Sequence, residues 1–130
     1  MKGSRFEEGM MRSEQSLQVK TKDIALRIIK LVDSLPAGPS GNVIGHQVLR
    51  SGTSVGANYR SAARAKSKAD MLNKLKIVEE ESDETLYWLE LLIEANLYPE
   101  SRLRPLMDDV EQVLAMTVAS IKTLRASQRQ

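Results

Sequence analysis

Residues 50 to 68, RSGTSVGANYRSAARAKSK, combine two glycines four apart with five cationic side chains and no acid. Glycines beside cations suggest phosphate chemistry. A nucleotide-cradling loop needs G-x-x-x-x-G-K-[ST], because the lysine and hydroxyl must follow the second glycine to reach phosphate and metal. Here three residues separate Gly52 from Gly56, and Ala57-Asn58 follow, so that chemistry is excluded by spacing. On a helix, positions 52 and 56 share a face, and their missing Cβ atoms let another helix approach closely. Gly52, Gly56 and Asn58 are therefore assigned to helix packing. Asn58 lies beside the stripe Val48, Gly52, Val55, Tyr59, where an asparagine satisfies a neighbouring polar group.

Catalytic sets are missing. Di-metal bundles use Glu-x-x-His pairs, whereas the one histidine, His46, has valine three residues before it. With no cysteine, thiolate catalysis and thiolate zinc sites are excluded. Asp108, Asp109, Glu111 and the Glu79–Glu84 run read as solvated helical faces, and paired carboxylates alone do not specify hydrolysis. No nucleophile, base and orienter can be assembled. The chain is read as a non-enzyme with no metal and no cofactor.

Charge is more informative in its distribution than in its sum. The net value is only +2, from 19 Lys and Arg against 17 Asp and Glu. Between Ser34 and Ala69 there is no acid. From 43 to 77, Arg50, Arg60, Arg64, Lys66, Lys68, Lys74 and Lys76 face Asp70 alone, and from 78 to 95 the sign reverses to seven acids without a base.

The elements that carry these residues follow from period and punctuation. Ile24, Ile28, Leu31 and Leu35 recur at four, three and four, which predicts a helix over about 20–35. PAGPSG (36–41) stops it, and Asn42 is read as the cap of a second helix over about 42–66. Ser67-Lys68-Ala69-Asp70 fits a capping box opening a third helix over about 68–96, with Asp70 reaching back to the N–H of Ser67. That helix fades at Tyr98-Pro99. A fourth, over about 101–126, carries Leu103, Met107, Val110, Leu114, Thr117, Ile121 and Leu124 at alternating four and three, with Pro105 tolerated only near the first turn. No segment alternates with period two. The fold class is all-α, an up-down-up-down antiparallel four-helix bundle over 18–127, preceded by a flexible tail over 1–17 that has no signal-peptide pattern. No apolar run reaches the roughly 20 residues of a membrane span, so a cytoplasmic protein without a membrane partner is expected.

In such a bundle the turn between helices 2 and 3 shares an end with the start of helix 1 and the finish of helix 4. Lys20, Lys22, Lys122, Arg125 and Arg129 then join Arg60, Arg64, Lys66, Lys68 and Lys74 at one pole. Such a pole attracts RNA or DNA backbones through counterion release; alternatively, its cations complement helix C-termini and solvate the surface. Tyr59 is the one aromatic there for base stacking. The antiparallel hairpin places Gly52 near Ser82 and Val55 near Glu79, with Glu79 either solvated or drawn inward to Thr53 or Ser54. In LYWLELLIEANLY (86–98), Tyr87, Trp88, Leu91 and Tyr98 extend the apolar surface beyond the core face, which points to burial against another subunit.

ALRIIKLVDSLP, LRSGTSVGANYRSAARAKSKADMLNKLKIVEEESDETLYWLELLIEANL and VASIKTL, spanning about Asp23 to Leu124, resemble the four-helix-bundle proteins of the 23S rRNA-intervening-sequence family. The resemblance implies an up-down bundle that assembles as a homopentamer, some members being encoded within insertions in bacterial large-subunit rRNA genes. It also implies kinship with accessory proteins of diversity-generating retroelements, basic pentamers that bind nucleic acid and a reverse transcriptase. In a common family form the asparagine matching Asn58 is followed by Ile-Ala-Glu-Gly; here Tyr59-Arg60-Ser61-Ala62 follow, losing an acid and gaining an arginine. Two functions stand: an oligomeric module binding RNA or DNA through the basic pole, or a scaffold or accessory subunit for a protein partner, such as a reverse transcriptase or an acidic protein.

Overall fold

The structure is a computed structural model that describes the backbone of residues 5–128 and the side chains of residues 16–128. Its four helices are α1 (Arg5–Asp33), α2 (Pro39–Ala63), α3 (Lys68–Glu94) and α4 (Glu100–Gln128). They form the antiparallel bundle expected. α2 packs most extensively on α3, α1 on α2 and α3 on α4, while α1 and α4 meet over a shorter stretch.

The boundaries depart from the sequence expectation where local chemistry competes with period. α1 begins at Arg5, not near residue 20. Residues 1–4 of the expected tail lie outside the described residues; over 5–17 the backbone is helical, and Leu17 is buried one heptad before Ile24. The segment is rich in Glu, Gln, Met and Arg and lacks proline, so helix propensity carries through it. Asn42 is not the cap of α2. Gly38 is, with φ of 148° that favours glycine, and Pro39 stands at the first turn. A proline there is pre-organised and lacks only an N–H that would be unpaired anyway; the Asn42 N–H already bonds the Gly38 carbonyl at 2.9 Å.

Ser67 caps α3 by accepting from the Asp70 N–H at 3.1 Å. Asp70 reaches back one residue further than expected, accepting from the Lys66 N–H at 3.2 Å. α3 ends at Glu94, before Tyr98-Pro99. Asn96 takes φ of 58°, and Asn96 and Leu97 N–H groups bond the carbonyls of Ile93 and Leu92 at 3.0 and 2.9 Å, the paired 5→2 and 6→1 bonds of a left-handed helix stop. Pro105 lies inside α4 rather than in its first turn.

The core comprises Leu17, Ile24, Ile28 and Leu31 of α1 with Val48, Val55 and Tyr59 of α2, then Val78, Leu89 and Leu92 of α3 and Leu103, Val110, Val113 and Ile121 of α4. Val113 and Leu106 join the α4 stripe, whereas Leu114 is only partly buried. Between α2 and α3 the core turns polar. Ser51, Ser82 and Thr85 are fully buried, with a Ser51–Thr85 hydroxyl bond of 3.0 Å.

Candidate nucleic-acid interface

The glycines of the opening segment lie against α1. A Cβ on Gly52 would collide with Ile28 Cδ1, and one on Gly56 would sit 3.2 Å from Thr21 Oγ1. Both therefore admit α1; Ser82 belongs to the α2–α3 layer through its own helix. The small side chains of α2 face α1 because α1 carries Ile28 and Thr21 on its buried face, a pairing that linear register along the α2–α3 hairpin does not reveal. Asn58 Nδ2 donates to the Ser54 carbonyl at 2.9 Å, one turn back on its own helix. Glu79 does not bond Thr53 or Ser54; their hydroxyls donate to the Leu49 and Arg50 carbonyls, each at 2.7 Å.

The cations separate into three groups. Lys20 turns to α4, where its Nζ lies 3.3 Å from Asp109 Oδ1 and also contacts Gln112. Arg27 shares that acid, Nη1 to Asp109 Oδ2 at 2.6 Å. The Arg27 hydrogen bond holds the Asp109 carboxyl below its ordinary range, against opposition from burial, with Lys20 adding to the effect. Lys20 is thus committed within the bundle. Lys22 and Arg60 instead line a shallow groove of about 380 Å³ between α1 and α2, floored by Gly56 and flanked by Ala25 and Thr53.

The third group gathers at the turn. Arg64 and Lys66 lie in the α2–α3 connection, and Lys68 and Lys74 follow in α3. Lys68 Nζ contacts Ser127 Oγ, which brings the end of α4 to the same place. Lys122 and Arg125 stand exposed in its last two turns. Among the side chains of residues 16–128, Asp70 is the one acid of these segments, and it is engaged by the Lys66 N–H. No salt bridge holds Arg60, Arg64, Lys66, Lys68, Lys74, Lys122 or Arg125 among the described residues. Arg129 lies outside the described residues.

Tyr59 does not serve this surface. It is 3% exposed and belongs to the core, so among the described side chains no aromatic is left here to stack on a base. The stripe Val48, Gly52, Val55, Tyr59 was legible in the sequence and points inward throughout.

The structure brings together a fold and a charge arrangement that invite comparison with known proteins. A family model described as 23S rRNA-intervening sequence protein matches residues 14–119. The chain belongs to that family. Among solved structures, this family member is similar to a protein of unknown function from the S23 ribosomal protein family of Bacteroides thetaiotaomicron VPI-5482. The two share 37% identity with a TM-score of 0.78, over 84% of this chain and 97% of the other. Curated proteins with detectable similarity to it were not found.

The apolar side chains assigned to a subunit contact divide. Tyr87 is 53% exposed and meets Trp88 edge-on, ring centroids 5.0 Å apart. Trp88 and Tyr98 pack against the family member's own core, and Leu91 is half-buried. The Trp88 indole N–H donates to Glu84 at 3.0 Å, within a cluster in which Arg50 pairs with Glu81 and Glu84 across α2 and α3. Sequence reasoning missed a larger exposed apolar face on α1, where Val19 is 73%, Leu26 54% and Ile29 40% exposed. Its signal was the spacing of seven and three among those residues.

Among the described residues, no group of three His, Asp or Glu could hold a metal ion, and no helix is long and apolar enough to cross a membrane.

Proposed function

We propose that this chain is a non-enzymatic, cytoplasmic, homo-oligomeric module that binds RNA or DNA backbones through the α2–α3 end of the bundle. The observation that carries this reading is the group Arg64, Lys66, Lys68, Lys74, Lys122 and Arg125, with Arg60 beside it, facing one engaged acid. Unpaired cations concentrated at one end release counterions from a nucleic acid at little internal cost. The family's association with 23S rRNA supports structured RNA as the first substrate to try. Burial of Tyr59 and the lack of any other aromatic among the turn residues argue for backbone rather than base recognition.

Binding to a 23S rRNA fragment and to duplex DNA, measured across a salt series, tests the reading. Micromolar or tighter affinity at low salt, falling steeply with salt for both ligands, is expected. Alanine at Arg64, Lys66, Lys68 and Arg125 together should weaken binding and flatten the salt slope. Absence of binding at low salt refutes it, and a nuclease-insensitive pull-down of an acidic protein through the same residues would put the accessory-subunit reading in its place.

A further inference from the structure

α1 presents an outer face diametrically opposite its core stripe. Along it, Lys22, Leu26 and Lys30 stand at successive turns, with Val19 and Ile29 beside them. All are exposed, and the three apolar ones by 40% or more. Neither lysine has a salt bridge among the described residues: Asp23, beside Lys22, is taken by Arg27 at 3.2 Å, and Asp33, three residues beyond Lys30 at the exposed end of the helix, pairs with neither. Lys22 and Lys30 are about 12 Å apart along the axis at 1.5 Å per residue, with Leu26 midway.

α3 presents the opposite pattern. Its outer ridge, at spacing three, four, three, four, is Glu80, Asp83, Tyr87, Glu90 and Glu94, every one exposed. The acids that α3 uses internally, Glu81 and Glu84, are different residues held by Arg50. Asp83 and Glu90 are about 10.5 Å apart, with Tyr87 between them. One face thus reads cation, leucine, cation; the other reads anion, tyrosine, anion at nearly the same interval.

We infer that the outer face of α1 docks the outer ridge of α3 from a second copy of this chain, Tyr87 packing on Leu26 while Lys22 and Lys30 meet Asp83 and Glu90. The two surfaces lie on different helices, so the contact is heterologous: every copy offers one face and one ridge, and the assembly closes as a ring or extends. The burial of Tyr87 and Leu26 supplies the apolar centre, and the charge pairs at its rim set register and exclude like surfaces. This rests on the homo-oligomer part of the proposed function and is independent of nucleic-acid binding.

The test is light scattering of the purified full chain, without nucleic acid, for wild type, Leu26→Glu, Tyr87→Glu and an equimolar mixture of the two variants. Wild type should assemble beyond a dimer at micromolar concentration, and each variant alone should weaken self-association at least tenfold. The mixture should form heterodimers and stop there, because it supplies one intact face and one intact ridge. Both substitutions are at exposed helical positions; circular dichroism checks that helix content is kept, with Leu26→Ser and Tyr87→Ser as replacements for a variant that misfolds. A monomeric wild type overturns both the inference and the oligomer reading. Assembly lost in Leu26→Glu but kept in Tyr87→Glu, or a mixture that stays monomeric, overturns the inference alone.

Discussion

Gly52 and Gly56 stand one turn apart on α2, face the same helix and differ in the room behind them, so Gly→Ala at each separates two opposing effects. In a helix interior alanine is favoured over glycine by about 0.8–1.0 kcal/mol. At Gly56 the new methyl meets Thr21 Oγ1 at 3.2 Å, a contact relieved by a small shift. Gly56→Ala should therefore be neutral or stabilise by about 0.5 kcal/mol once that shift is subtracted. At Gly52 the methyl occupies the place of Ile28 Cδ1. Ile28 is fully buried, and overpacking of that kind costs roughly 1–3 kcal/mol. The propensity gain offsets part of it, leaving Gly52→Ala destabilising by about 1 kcal/mol.

Ile28→Val removes the colliding methyl and alone costs about 0.5–1.5 kcal/mol. Combined with Gly52→Ala, it should cost less than the sum of the two, with a coupling of about 1 kcal/mol between residues in contact. Urea unfolding followed by the fluorescence of Trp88, the chain's one tryptophan, reads wild type and the four variants at a fixed concentration, since the proposed assembly would make apparent stability concentration-dependent. Gly52→Ala more stable than wild type, or strict additivity with Ile28→Val, would refute the claim that α1 closes on the bare Cα of Gly52.

Ser82 Oγ is fully buried without a hydrogen-bond partner, so Ser82→Ala should raise stability by about 1 kcal/mol, read as a higher urea midpoint at unchanged slope; a lower midpoint would show that the hydroxyl is satisfied. Asp109→Asn should destabilise at neutral pH by only about 0.5 kcal/mol, because the Asp109 side chain is 35% exposed and solvent screens the pair. The folded carboxyl is depressed, so its contribution is present above the ordinary carboxylate range and lost as pH falls through the lowered value. The gap between wild type and variant should therefore close in acid melts and shrink in high salt. Exchanging Lys68→Glu with Glu94→Lys preserves net charge and should still weaken rRNA-fragment binding severalfold, which filter binding at low salt can measure.

Element order was legible because α1 and α4 keep long three-four stripes and α3 carries a capping box. The ends were less so. Pro39 reads equally as a stop for one helix and the first turn of the next, and only Gly38, with its positive φ, decides between them. The start of α1 was hidden because residues 5–16 alternate charge, and propensity rather than an apolar stripe carries the helix there. Cation positions by element were legible, but not their commitments. Lys20 and Lys22 are two residues apart, yet on a helix that spacing sends them to different sides, one to Asp109 and one to the groove. The partner of Gly52 depends on how α1 crosses α2, which no single-helix pattern encodes.

The near-neutral composition conceals a polar molecule because α2 and α3 sort their charges along their length, α4 ends on cations, and antiparallel order then superimposes like signs. α2 has no acid, and its C-terminal end carries Arg60, with Arg64 just beyond. α3 runs back from there with Lys68, Lys74 and Lys76 before its acids begin at Glu79, apart from Asp70. The hairpin thus folds base against base near the turn, and the first cation of α2 to meet acids is Arg50, farther down, at Glu81 and Glu84. In α4, Asp108, Asp109 and Glu111 precede Lys122 and Arg125, and the Lys68–Ser127 contact fixes its basic half at the same end. Helix-dipole complementation accounts for cations in the last turns of α2 and α4. It extends to Lys68, whose contact with Ser127 sets it against the C-terminal end of α4, but it gives no role to Lys74, which stands in the second turn of α3, beyond the reach of that helix's own dipole. Under the proposed function, Lys74 is left, with the other cations of this end that no salt bridge holds among the described residues, to meet a partner outside the bundle.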